Sequence, residues 1–133
     1  ASTSSATAVA MVTLGSITTT QAGSKIILQT DIPTQLASEG STKAVYSVRH
    51  SVDSYASELN RQVVVRYPDG GSTRGWTQTS NNFITLHTHG QSVGTAITYK
   101  LYGFRHAGSQ GIYVLDGWSL SPSNRCILTE IVG

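Results

Sequence analysis

His87 and His89 are the densest pair of ligand-type side chains in the sequence, because residues two apart on a strand project from one face. Two imidazoles so placed supply half of a tetrahedral zinc site. The other half would have to come from His50, His106 or the seven scattered carboxylates. A threefold axis would also multiply whatever one chain presents. Two ligands of four make a weak motif, so the simpler expectation is two solvent-facing histidines at a strand end, with no metal and no other cofactor.

Nucleophilic chemistry finds less support. Gly70-Gly71-Ser72-Thr73-Arg74-Gly75 approaches a nucleophile elbow, but its last glycine falls one residue late and its context is a hairpin turn, not a strand-to-helix turn. Asp69 and Asp116 sit in turns, where aspartate is favoured for backbone reasons. No phosphate-binding loop or dinucleotide fingerprint occurs, and no enzymatic activity is expected. Trp76, Tyr102, Phe104, Tyr113 and Trp118 would form a stacking platform for sugars or bases if exposed, yet a domain with ten aromatics needs most of them inside. Trp76, beside Arg74 and after a glycine-rich turn, is the best candidate for exposure, and the two are candidate loop contacts.

The elements that must position these side chains are strands. In Ala96 to His106 the residues Ile97, Tyr99, Leu101 and Gly103 share one face, and Thr98, Lys100, Tyr102 and Phe104 the other. Similar runs are Lys25 to Asp31, Lys43 to His50, Gln62 to Tyr67, Asn82 to Thr88, Ile112 to Leu115 and Arg125 to Val132. Turn chemistry separates them at Pro68-Asp69-Gly70-Gly71, Gly108 to Gly111, Asp116-Gly117 and Ser121-Pro122-Ser123-Asn124. Asp53 to Asn60 fits either two turns of helix or, the preferred reading, a loop over one end of a sandwich. The expected architecture is all-β, an antiparallel jelly-roll-like β-sandwich over residues 11–133 with a short extended N-terminal arm over 1–10.

That arm opens with Ala1, Ser2, Thr3, Ser4, Ser5, Ala6, Thr7 and Ala8, which carry no large apolar group. Their backbone is expected to pair with a neighbour, and Met11 to Leu14 reads as strand. The chain has 133 residues, the size of one domain, and only 12% are charged, against roughly 25% in an average soluble protein. Ser and Thr make up more than a quarter, so the coat is neutral and hydroxyl-rich. A net charge of +2 with scattered arginines does not point to nucleic acid, and no apolar run approaches the ~20 residues of a membrane helix. Cys126 is the lone cysteine, which excludes an intrachain disulfide and suits synthesis in a reducing cytoplasm.

Thr98-Tyr99-Lys100-Leu101-Tyr102, then Ile112-Tyr113-Val114-Leu115-Asp116-Gly117, and finally Leu128-Thr129-Glu130-Ile131-Val132-Gly133 resemble the closing strands of virion surface modules of tailed bacteriophages. Such modules occur as capsid decoration, or cement, proteins and as head domains of tail fibres. The resemblance implies a jelly roll, a homo-oligomer such as a trimer, the major capsid protein as partner, a place on the capsid exterior after synthesis in the host cytoplasm, and no catalysis. Decoration is the leading expectation, since one domain with a short arm lacks the shaft that a fibre head requires. A receptor-binding fibre or spike head is the alternative, followed by another coat role and by a carbohydrate-binding module that would take a glycan.

Overall fold

A computed structural model describes residues 1–36, 42–66, 77–108, 111–114 and 125–132. The strands are β1 (Ser2–Thr3), β2 (Val9–Thr18), β3 (Lys25–Leu36), β4 (Thr42–His50), β5 (Glu58–Arg66), β6 (Thr77–Thr88), β7 (Ala96–Ala107), β8 (Ile112–Val114) and β9 (Arg125–Ile131). Each run of alternating apolar residues carries a strand among its described residues, and most strands extend further than the alternation alone indicates; Tyr67 and Leu115 lie outside the described residues. Ser51–Asp53 forms a single 3-10 turn, closed by Ser54 and Tyr55 in the left-handed region. Asp53 to Asn60 is therefore not a helix. Its last three residues already belong to β5.

All pairings are antiparallel, and they nest: β4 with β5, β3 with β6, β2 with β7, β1 with β8. The nest folds into two sheets of order β1-β8-β3-β6 and β2-β7-β4-β5. That order is a jelly roll, a long hairpin rolled up so that successive pairs alternate between the sheets. β8 and β9 follow one another along β3, against Thr34–Leu36 and Lys25–Asp31 respectively, and together fill the eighth strand's place.

The core lies between the sheets. Ile26, Leu28, Ile32 and Phe83 from one sheet meet Ala44, Tyr46, Val48, Ile97, Tyr99 and Leu101 from the other, all with no exposed surface. Along β7 the expected parity holds, with Ile97, Tyr99, Leu101 and Gly103 inward. Gly103 is required there by close approach: a Cβ would overlap the Met11 sulfur and lie 3.2 Å from the Tyr46 ring. Tyr102 and Phe104, expected to fill the interior, face outward and are half-buried, because Tyr46, Tyr99 and Phe83 already occupy it.

The arm is tied to its own domain. Ser2 and Thr3 pair with Tyr113 and Ile112, Val114 N donates to Ala1 O at 2.8 Å, and Arg105 N donates to Ser5 O at 2.8 Å. The groups named here are engaged within the domain, while β1, as the terminal strand of its sheet, keeps its other side open. Pairing to the open edge of β8 satisfies polar groups that need partners and asks nothing of side chains. β2 begins at Val9, so the arm is shorter than ten residues.

Candidate functional site: a buried histidine cluster and an aliphatic sheet face

At one end of the sandwich three imidazoles come together from both sheets. His50 closes β4, His87 lies near the end of β6, and His89 follows one residue after that strand. The His50 and His87 ring centroids are 4.2 Å apart, and those of His87 and His89 6.1 Å. All three are buried, at 7%, 4% and 5% exposure, so the pair expected in solvent is in fact enclosed. The reason is parity: His87 shares its face with the inward Phe83 and Thr85. His106, the other residue considered as a ligand, lies elsewhere, exposed beside Phe104.

Hydrogen bonds define the state of each ring. His87 Nδ1 is 2.8 Å from the Tyr99 hydroxyl of β7. Burial, followed by the charges that His50 and His89 can carry, lowers the His87 pKa to about 4, so this ring is neutral at pH 7. Burial raises the Tyr99 pKa and keeps its hydroxyl protonated. Gln91 N donates to His89 Nδ1 at 2.9 Å, which places the proton of the neutral ring on Nε2. Nε2 then donates to Ser24 Oγ, 3.2 Å away, and Ser24 Oγ donates to Glu130 Oε1.

The direction of that relay determines its chemistry. A serine nucleophile needs an imidazole nitrogen that accepts its proton, whereas His89 presents a donor to Ser24. Glu130 receives the serine proton's hydrogen bond but is a feeble base: hydrogen bonds from Ser24 and then Thr20 hold its pKa at about 2. The same carboxylate accepts from Thr20 N at 2.9 Å, Thr20 Oγ1 at 2.5 Å and Gln21 N at 3.3 Å. The relay therefore braces the turn before β3 and is poorly arranged for acyl transfer. Among the described residues no three His, Cys, Asp or Glu side chains are placed to hold a metal ion. Sequence reasoning missed Ser24 and Glu130. Glu130 carried a signal, since it shares the inward parity of Cys126 and Leu128 on β9.

A second feature lies on the outer face of the β9-β3-β6 sheet. Ile84 (71% exposed), Leu86 (54%), Ile127 (60%) and Ile131 (38%) face solvent there. They are neighbours by register: Gln29 of β3 stands between Ile84 and Ile127, and Ile27 between Leu86 and Thr129. On the opposite sheet, Arg49 lies 4.9 Å over the Tyr102 ring and Lys100 4.6 Å over Tyr55, so cations already occupy those aromatic faces. Arg74, Trp76 and Trp118, together with the turns at Asp69 and Asp116, lie outside the described residues.

Comparisons of the chain with protein families, with curated proteins and with solved structures return no match.

Proposed function

We propose that this chain is a non-enzymatic structural protein of a virion, a decoration protein that binds the assembled head shell and stabilises it through contacts of its outer sheet faces. The aliphatic group Ile84, Leu86, Ile127 and Ile131 carries the reading, because it stands on a regular sheet face of a protein whose coat is otherwise neutral and hydroxyl-rich. Exposed aliphatic side chains gathered on one sheet face, here interrupted by Gln29 and Thr129, suit a surface that is covered in an assembly. Binding the shell but not its separated subunits stabilises the shell by mass action. A low surface charge also lets many copies crowd together without mutual repulsion.

The arm pairs with β8 along one side of β1 and keeps an open edge on the other, so it can add to the contacts of the sheet face. One observation favours a second reading, a coat subunit that tiles with its own copies: Val63 and Val65 on β5 are also exposed, at 49% and 40%, on the other sheet. A tile needs at least two contact faces. A receptor-binding fibre head would instead work through its loops.

Ile84→Lys with Ile127→Lys tests the proposal, because both side chains are in solvent and their replacement leaves the core untouched. The wild-type protein is expected to sediment as an oligomer or to bind purified heads stripped of decoration, and the double variant to lose at least about tenfold in affinity with its β-sheet spectrum retained. Equal binding by both proteins, or attachment to host cells without binding to heads, would overturn the assignment.

A further inference from the structure

We propose that the His50–His87–His89 cluster is a pH-operated latch: with its imidazoles neutral it fastens the two sheets at this end of the jelly roll, and proton uptake below neutral pH releases the loop of residues 90–95. The proposal is independent of what the molecule assembles with.

Geometry carries it. The His50 ring lies tilted against His87 at 4.2 Å and His89 meets His87 edge-on at 6.1 Å between centroids, so the cluster bridges β4 of one sheet to β6 of the other. Histidine is the side chain whose ordinary titration falls in this pH range, and like charges at such separations inside a protein repel. His89 supplies a specific trigger. Its Nδ1 accepts the Gln91 N–H only while unprotonated, and an imidazolium has donors at both nitrogens, so acid turns this hydrogen bond into a donor–donor clash. Gln91 opens the loop that Thr19 holds through Thr19 Oγ1 to Ser92 O at 2.7 Å, Gly94 N to Thr19 O at 2.8 Å and Thr19 N to Thr95 O at 3.0 Å.

The surroundings offer His87 little relief. From the 3-10 turn, Asp53 Oδ1 lies 3.6 Å from His50 Nδ1, which has no hydrogen-bond partner. From β7 comes the neutral Tyr99 hydroxyl, and from β9 come Cys126, whose thiol is kept protonated by burial, and Glu130, whose carboxylate reaches His89 only through Ser24. Lys25, at the head of β3, is exposed on the opposite face of its sheet. The two outer histidines therefore each have a carboxylate nearby, and the central one has none in contact.

Two measurements on the full chain test the latch. Ring nitrogen resonances followed from pH 7.5 to 4.5 are expected to show His87 neutral to below pH 5, and amide exchange, corrected for its intrinsic pH dependence, is expected to rise at Gln91, Gly94 and Thr95 by about tenfold between pH 7.5 and 5 before the core amides of β3 and β7 respond. His89→Gln, which keeps a polar side chain but cannot gain a proton, is expected to abolish that rise. Unchanged loop protection in the wild-type protein, titration of His87 near its ordinary value, or an undiminished rise in His89→Gln would overturn the proposal. The wild-type readings decide even if the variant does not fold.

Discussion

At the scale of single residues, position matters more than residue type. Gly103 is legible in the sequence only as an interruption of an apolar face, and the packing of Met11, Tyr46 and Ile112 around it explains why nothing larger fits. Gly103→Ala forces that packing apart, and overpacking of this kind costs about 1–3 kcal/mol. Thermal melts should show a clearly lower Tm. Glu130 makes the opposite case, a half-buried carboxylate that organises the turn before β3. Its pKa is depressed, so its contribution is complete above the ordinary carboxylate range and lost as pH falls toward about 2. Glu130→Gln should therefore have a lower Tm than wild type at pH 7, with the two melting curves converging as the buffer is taken to pH 2.

At the scale of elements, edges need explanation because a free strand edge invites pairing with other chains. β6 is the edge of its sheet, yet Asn60 Nδ2 donates to Ile84 O at 3.3 Å and to Thr85 Oγ1 at 2.9 Å, and the Gln62 amide donates to Asn82 O. Side-chain amides from β5 thus occupy carbonyls that a neighbouring strand would otherwise take. Asn60→Ala with Gln62→Ala should cost about 1–2 kcal/mol in urea unfolding and raise light scattering on storage. No change in either measurement would mean that these contacts are idle.

Strand existence was legible because alternation in β3, β6 and β7 reports burial directly. Strand length was not: β6 runs back to Thr77 through Thr79, Ser80 and Asn81, polar residues held by pairing to β3, with Asn81 bonded to Thr34. β1 was illegible for a related reason, since two residues pair through backbone alone. For the histidines, spacing revealed the shared face of His87 and His89 but not which face was inside. That depended on β4 delivering His50 opposite them.

At the scale of the whole molecule, the buried histidines make stability depend on pH. His87 has a folded-state pKa of about 4 against 6.5 for a free imidazole, so the unfolded chain binds more protons between these values. Stability is complete above about pH 6.5 and declines as pH falls toward 4. We expect a loss of roughly 2 kcal/mol across this window, less than the full 1.36 kcal/mol per pH unit because neighbouring polar groups relax. Guanidinium titrations at pH 7 and pH 4.5 would check it, and His87→Phe should flatten the difference. The placement of β3 has a different consequence, for the order in which the fold can be made. All of its partners, β6, β8 and β9, lie later in the chain, and the ladder that completes its second side ends at Ile131. During synthesis the strand at the centre of its sheet can pair with β6 once Thr88 has emerged, but its second side waits, open, for nearly the entire chain. Such late, long-range closure favours slow folding on the millisecond-to-second scale, and a nascent chain stalled before β9 should be the form most prone to aggregate.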